Sequence, residues 1–144
     1  MASVSDVLKE KDGNQVIGVA PSATVYEAIE QMVENNCGSL LVMEGDDIAG
    51  IFSERDYLRK IALQGRTSQG TAVQEVMTSP VVVVESGAEI DEALALMTDR
   101  RIRHLPVVEG GRVVGVVSIG DLVKFKTKEQ EFRIGYLEDY IGAR

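Results

Sequence analysis

The sequence predicts an α+β fold built from two copies of one unit, each with the element order β-α-β-β-α. Three observations predict it: an internal repeat, apolar residues that alternate between helical and strand spacing, and glycine-containing turns between strands. The repeat aligns Val25–Leu58, without a gap, with the residues 65 positions later, Ile90–Val123. Ten aligned pairs are identical. Because repeated units bury their apolar faces against each other, we expect the copies to pack as one pseudo-two-fold module with clefts between them.

The repeat also sets the expected domain boundaries. Residues 1–68 form the first repeat with its N-terminal segment, residues 69–125 form the second repeat, and residues 126–144 form a helical tail. In that tail, Lys126–Glu131 is a charged stretch, and three apolar residues follow at helical spacing: Ile134, Leu137 and Ile141. The tail can pack on the module or on a partner.

Each copy opens with a short strand, near Val16–Val19 and near Val81–Val84. A capping box of Thr24 and Glu27 then begins the first long helix, because the hydroxyl accepts from a helix amide and the carboxylate reaches back. Apolar residues at helical spacing predict one buried face in each helix. They are Val25, Ala28, Ile29, Met32 and Val33 in the first copy, and Ile90, Ala93, Leu94 and Met97 in the second.

A β-hairpin and a second helix complete each copy. The hairpins are Ser39–Met43 with Ile48–Ser53, around Glu44–Asp47, and His104–Val108 with Val113–Ser118, around Glu109–Gly111. The closing helix of the first copy runs from Asp56 to a left-handed stop at Gly65. Asp121 begins its counterpart.

Composition excludes several function classes. A net charge of −8 argues against a nucleic-acid or anionic-membrane surface, because both need clustered cations. Cys37 and His104 are the only residues of their types, too few soft ligands for a conventional zinc site, so we expect no metal. No catalytic triad, metal cluster or P-loop lysine pattern is present, so we expect no enzymatic activity. No export or membrane segment is recognisable, which predicts a cytoplasmic protein.

The pattern Gly-x-x-Ser-x-x-Asp occurs twice in register, at Gly50–Asp56 and at Gly115–Asp121. It lies at a strand-to-helix junction, where glycine allows close backbone approach and the helix amides favour a phosphate. The aspartate could accept two ribose hydroxyls. A single copy is equally well explained as a helix cap.

A cationic stretch precedes the second hairpin. Arg101 and Arg103 alternate with Ile102, so on a strand they would share one face. This face is either a ligand-binding surface or a solvated strand edge. His104 would be packed beside the strand as a structural residue or an adenine neighbour, and Cys37 is expected to line a core or pocket.

Further peptides resemble a known family. In tandem cystathionine-β-synthase (CBS) domains, also called Bateman modules, the second repeat opens with a peptide similar to Val76-Met77-Thr78-Ser79-Pro80. Arg101-Ile102-Arg103-His104-Leu105-Pro106-Val107-Val108 resembles the family's central strand. The resemblance covers about Ile17 to Val123. The whole chain is similar to stand-alone bacterial CBS pairs and to the plant CBSX group.

The resemblance implies a non-catalytic regulatory protein that senses energy or redox state and signals to an unidentified partner protein. Its clefts would bind AMP most commonly, and otherwise ADP, ATP, NAD or S-adenosylmethionine. One site would comprise Ile17, Cys37, Gly38, Ser39, Arg103, Ser118, Gly120 and Asp121. The second would comprise Ser53, Arg55, Asp56, Thr78, Pro80, Val82, Ile102, Arg103 and His104. The alternative is a structural or interaction module whose clefts bind ligand weakly or not at all.

The two motifs differ before the aspartate, where the first has Arg55 and the second has Gly120. Arg55 would either contact phosphate or pair with Glu54 or Asp56. We therefore expect the site with Gly120 to be the tighter AMP site. The family resemblance also implies a homodimer, for which the sequence offers an apolar patch on the closing helices: Tyr57, Leu58, Ile61, Ala62, Leu122, Val123 and Phe125.

Overall fold

The computed structural model describes residues 2–11 and 16–129. They form two compact units with mixed helix and sheet, as predicted. The first-repeat unit comprises residues 16–82, and the second-repeat unit comprises the described residues of 1–15 and 83–144. The N-terminal segment, which the sequence groups with the first repeat, thus lies in the compact unit of the second. The division into sequence repeats at 1–68, 69–125 and 126–144 stays a prediction.

The first-repeat unit is built on a three-stranded sheet. Strand β1 (Gly18–Val19) pairs parallel with β2 (Ser39–Glu44), which pairs antiparallel with β3 (Asp47–Ser53). The predicted β-hairpin is confirmed, and its turn shortens to two residues, the first of which is left-handed Gly45 with φ +61°. The register places Ser39 opposite Ser53, so the two serines meet at one end of the hairpin.

The second-repeat unit repeats this sheet. Strand β4 (Val84–Glu85) pairs parallel with β5 (His104–Glu109), which pairs antiparallel with β6 (Arg112–Ser118). Gly110 and Gly111 make the turn with φ values of +59° and +79°, which glycine adopts without strain. The register places His104 opposite Ser118, the counterpart of Ser39 opposite Ser53.

One long helix packs on each sheet. In the first-repeat unit α2 (Val25–Glu34) begins at Thr24, whose hydroxyl accepts from the Glu27 amide at 3.1 Å, as predicted. In the second-repeat unit α4 (Ile90–Arg100) begins after Glu89. Most of the predicted buried face is confirmed, but Ile29 and Leu94 are only partly buried, and Val33, in the last turn of α2, is 74% exposed.

Each unit has its own apolar core, contributed by its sheet and helices. The core cluster of the first-repeat unit comprises Val25, Ala28, Met32, Leu40, Val42, Phe52, Ile61, Val73 and Val76, and Leu41 of the same unit is also buried. Those of the second-repeat unit are Val4, Val7, Leu8, Val84, Ile90, Ala93, Met97, Leu105, Val107, Val117 and Leu122.

The closing helix of the first-repeat unit differs from the regular helix that we predicted. A single turn, α3 (Glu54–Asp56), continues as a π-helix over Tyr57–Ala62. Its wider spacing appears in the bonds of the Leu63 amide to the Leu58 carbonyl and of the Arg66 amide to the Ile61 carbonyl, both at 3.0 Å. The predicted left-handed stop at Gly65 is confirmed, with φ +67°. The counterpart, α5, is helical over residues 119–129.

Two members of the predicted apolar patch on these helices are core residues instead. Ile61 is 2% exposed and Leu122 is 0% exposed, because each helix turns that face onto its own unit. Leu58 and Val123 remain exposed, at 58% and 48%. The tail residues Ile134, Leu137 and Ile141 lie outside the described residues.

An N-terminal helix, α1 (Val4–Glu10), was not predicted. It begins at Ser3, whose amide donates to the Asp6 carboxylate at 2.8 Å, a contact that lowers the pKa of Asp6. The amide of Val4 donates to the Ala88 carbonyl at 2.9 Å, and that of Ser5 to the Ser86 carbonyl at 3.0 Å. These bonds fix the start of α1 to the loop that precedes α4.

In the first-repeat unit, residues 71–78 occupy the place that α1 occupies in the second-repeat unit. The Val25 amide donates to the Thr71 carbonyl at 2.9 Å, and Thr78 exchanges two backbone bonds with Ile51. A Cβ on Gly50 would overlap Met77, just as one on Gly115 would approach Leu8 to 2.7 Å. Gly50 and Gly115 are one of the ten identical pairs of the internal repeat. The lack of a side chain at each leaves room for the segment that packs across the hairpin of that unit.

Candidate functional site

The two Gly-x-x-Ser-x-x-Asp motifs have the same backbone geometry. In each unit a strand ends at the serine, and a helix begins at the next residue. The Glu54 amide donates to the Gly38 carbonyl at 3.0 Å, and the equivalent Ile119 amide donates to the Arg103 carbonyl at 2.8 Å. Each motif is thereby held against the start of the neighbouring strand.

The Asp56 carboxylate is buried, and its side chain is 9% exposed. One oxygen, Oδ2, accepts from the amide and the hydroxyl of Ser53, at 3.0 and 3.2 Å. The other, Oδ1, accepts from the Thr78 hydroxyl at 3.0 Å and lies 3.1 Å from the Lys60 ammonium. Lys60 also donates to the Val76 carbonyl at 2.9 Å. Both oxygens of Asp56 are thus engaged inside the first-repeat unit.

The Asp121 carboxylate has a more open environment, with its side chain 26% exposed. Its Oδ2 accepts from the Ser118 amide at 2.9 Å and lies 2.9 Å from the Lys11 ammonium. The Asp121 amide in turn donates to the Ser118 hydroxyl at 3.0 Å. The Ser118 and Lys11 contacts to the carboxylate are both on Oδ2.

The charge on Asp121 is stabilised despite partial burial. Burial raises the pKa of this carboxyl, but the hydrogen bond from the Ser118 amide and the nearby Lys11 ammonium lower it further than burial raises it. The pKa therefore lies below its ordinary value. At neutral pH the group is therefore an anionic, partly exposed acceptor.

The predicted site residues divide between the two units. Four residues that the family resemblance assigned to the Ser118 and Asp121 site lie in the first-repeat unit: Ile17, Cys37, Gly38 and Ser39. The same unit contains six residues of the second predicted site: Ser53, Arg55, Asp56, Thr78, Pro80 and Val82. Ile102, Arg103 and His104 lie in the second-repeat unit with Ser118, Gly120 and Asp121. Within each unit the hairpin end, the motif serine and the motif aspartate are adjacent. The assignment of each site to residues from both repeats stays a prediction.

The expected alternation of Arg101 and Arg103 on a strand is wrong. Strand β5 begins at His104, and Arg101 ends α4 in the left-handed conformation, with φ +54°. The amides of Arg101 and Ile102 donate to the Thr98 and Met97 carbonyls, which completes the helix end. The helix end determines the conformation here, and both arginines are exposed.

Arg55 was expected either to meet phosphate or to pair with Glu54 or Asp56. It is exposed, and within the described part of the chain it forms no ion pair. The cation on Asp56 is Lys60 instead. A Cβ on Gly120 would meet only the Ser118 hydroxyl, at 3.6 Å, which is an ordinary contact. The second motif thus has open space at the start of α5.

Sequence analysis missed the two lysines that contact the motif aspartates. Lys60 could have been found, because it lies four residues after Asp56 on a helix, the spacing of a side-chain ion pair. Lys11 carries no such signal, since it lies far from Asp121 in sequence and directly follows a helix that we did not predict. The Ser3 and Asp6 pair, spaced as a helix cap, was the available clue.

Neither a metal site nor a membrane span emerges from the described residues. They contain no group of three or more His, Cys, Asp or Glu residues placed to hold a metal ion. Over the same residues, no helix has the length and apolar character to cross a membrane.

Comparison with known proteins gives consistent findings. The family model of the CBS domain matches residues 3–63 and 73–128. The chain is 40% identical to the mitochondrial CBS domain-containing protein CBSX3 of Arabidopsis thaliana, over 96% of this chain and 71% of that protein. The structure of a CBS-domain protein from Burkholderia ambifaria superposes with a TM-score of 0.85 and 49% identity, covering 90% of this chain and 96% of the other.

A more distant structure is that of the CBS domain pair of protein MJ0100, solved in complex with 5′-methylthioadenosine and S-adenosyl-L-methionine. Its TM-score is 0.78 at 21% identity, and the match covers 90% of this chain and 98% of that one. At this identity the likeness concerns the fold.

Proposed function

Because the chain belongs to the CBS domain family, we propose that it is a non-catalytic regulatory protein that binds an adenosyl ligand and passes its presence to a partner. AMP is the first candidate, followed by ADP, ATP, NAD and S-adenosylmethionine. The energy or redox state of the cell would then be the quantity sensed. The complex of MJ0100 makes adenosyl compounds the ligand class to test first.

The observation that carries this proposal is the geometry of Asp121. A partly exposed, ionised carboxylate, held through Oδ2 by Ser118 and Lys11, is suited to accept hydrogen bonds from a ribose diol. The same turn begins α5 at residue 119, and the amides of a helix start favour a phosphate. Gly120 leaves that helix start open, and exposed Arg103 supplies a nearby cation, since its carbonyl bonds the Ile119 amide.

The same reasoning ranks the two motifs. Asp56 has four donors on its two oxygens, so a ribose hydroxyl could bind only by displacing Thr78, Lys60 or Ser53. On Asp121 the Ser118 amide and the Lys11 ammonium both contact Oδ2 and the side chain is more exposed, so a ribose diol would displace fewer contacts there. We therefore assign the tighter AMP site to Ser118 and Asp121, and a mainly structural role to Asp56.

A second candidate function is that of a structural or interaction module, and exposed apolar side chains favour it. Leu58 on the π-helix and Val123 on α5 are exposed, and Leu63 is 82% exposed. Such residues suit a protein interface. A homodimer that covers them is compatible with either function, and the regulated partner protein is unidentified in both.

The proposed compartment is the cytoplasm. The chain has a single cysteine and therefore no intrachain disulfide, as a reducing compartment favours. The CBSX3 relative is a mitochondrial protein by name. Adenine nucleotides are available in both places, so the ligand proposal does not depend on this assignment.

Two measurements test the proposal. Mass spectrometry of the protein purified without added nucleotide should detect a bound adenosyl compound, with AMP foremost. Calorimetric titration of the stripped protein should then give heat with AMP, ATP, NAD or S-adenosylmethionine. Absence of heat with all four would refute the sensor and favour the interaction module.

A further inference from the structure

Lys11 is the cation that the fold places on the candidate ligand carboxylate. It follows α1 directly, and its ammonium lies 2.9 Å from Asp121 Oδ2 and 2.8 Å from the Val116 carbonyl. Its side chain is 34% exposed. The cation therefore borders the place where a ligand on Asp121 would lie.

The position of Lys11 is fixed by the packing of α1. Three apolar residues of this helix are buried in the second-repeat unit: Val4, Val7 and Leu8, at 0%, 4% and 7% exposure. The helix is thus anchored, while the long side chain of Lys11 can rotate between neighbouring anionic groups.

The first-repeat unit has a different arrangement. There the lysine on the motif aspartate is Lys60, on the closing helix itself. The repeat aligns Lys60 with Phe125, which carries no charge. Among the described residues, only the motif aspartate of the second-repeat unit is contacted by a lysine of the N-terminal segment.

We propose that Lys11 determines the selectivity of the Asp121 site, favouring anionic adenosyl ligands over neutral ones; this rests on the proposed function. Oδ2 of Asp121 already accepts from Ser118 and Lys11, so a diol that engages both carboxylate oxygens displaces the ammonium. A neutral nucleoside then exchanges an ion pair for a hydrogen bond from an uncharged hydroxyl and offers the displaced ammonium no anionic partner. A nucleotide offers the displaced ammonium a phosphate instead.

The proposal gives opposite signs for two ligands that differ by one phosphate. Removing the charge with Lys11→Met should improve adenosine binding by about 3- to 5-fold, the strength of a partly exposed ion pair. The same change should weaken AMP binding by about tenfold, since the phosphate loses a charge-assisted partner. Lys11→Arg should keep the preference of the wild type to within about threefold.

The test is calorimetric titration of AMP and of adenosine into the full chain carrying each change. Lys9→Met is the matched control, because Lys9 lies on the same helix, is exposed and makes no ion pair in the described part of the chain. Circular dichroism verifies folding, and Lys11→Gln replaces Lys11→Met should the latter misfold. The proposal is overturned if Lys11→Met leaves the ratio of the AMP and adenosine dissociation constants unchanged.

The possible results distinguish a failure of this inference from a failure of the proposed function. If wild type binds AMP, Asp121→Asn weakens it, and Lys11→Met leaves the ratio unchanged, the selectivity role alone is refuted. If wild type binds neither AMP nor adenosine, the proposed function and the inference both fail.

Discussion

Replacement of each motif aspartate by alanine should separate a structural carboxylate from a ligand-binding one. In Asp56→Ala, three hydrogen bonds and one ion pair disappear, and the Thr78 hydroxyl and the Lys60 ammonium lose their anionic partner inside the first-repeat unit. A hydrogen bond to a charged group contributes about 1.5–3 kcal/mol, but bonds that share one carboxylate are not additive. We therefore expect a loss of about 3–4 kcal/mol.

Asp121→Ala removes fewer contacts from a more exposed group. Two donors, the Ser118 amide and the Lys11 ammonium, lose their acceptor, and the Asp121 side chain is 26% exposed against 9% for Asp56. The expected loss is about 1 kcal/mol, in the range of partly exposed ion pairs and helix caps. The difference between the two variants should thus be about 2 kcal/mol or more.

Equilibrium unfolding in urea, followed by circular dichroism, measures both losses. For m-values of about 1–3 kcal/mol/M, Asp56→Ala should lower the midpoint by at least about 1 M, and Asp121→Ala by about half that or less. Asp46→Ala, at an exposed turn residue with no ion pair in the described part of the chain, serves as the control. Equal losses for Asp56→Ala and Asp121→Ala would refute the contrast between the two carboxylates.

Three further outcomes follow from the same contacts. Arg103→Ala should weaken AMP binding while sparing adenosine, and an equal loss for both in calorimetry would show that Arg103 does not meet the phosphate. The folded pKa of Asp121 is below its ordinary value of 3.8, so its stabilisation is present above that value and is lost as the pH falls through the folded pKa. The stability difference between wild type and Asp121→Asn should therefore be constant near neutrality and shrink below about pH 4; a difference that grows on acidification contradicts this. Gly115→Ala should lower stability by about 1–3 kcal/mol in urea unfolding, because its Cβ would reach Leu8 Cδ2 at 2.7 Å; an unchanged midpoint would mean that α1 shifts freely.

The sheets and long helices could be predicted from the sequence because local signals determine them. Thr24 caps α2, Gly110 and Gly111 turn the second hairpin, and the apolar spacing identifies the buried faces. Because the two copies align, an element predicted in one copy was also predicted at the equivalent position of the other. The motif serines and aspartates were found in the same way, since helix caps are local features.

Features that depend on contacts distant in sequence were missed or wrong. The anchoring of α1 on the second-repeat unit depends on Leu8 meeting Gly115, which no local pattern indicates. The Lys11 contact follows from that anchoring. The π-helix after Asp56 and the left-handed Arg101 depend on how a helix end fits its own sheet, so strand or helix propensity did not predict them.

The affinity of the folded Asp121→Asn variant for AMP is the measurement that tests the account most directly. The amide keeps the size of the carboxylate but removes the charge that a ribose diol would meet. We predict that calorimetry will show AMP binding to wild type and binding at least about tenfold weaker to Asp121→Asn. Equal affinity of the two proteins would contradict the central claim that Asp121 holds the ligand.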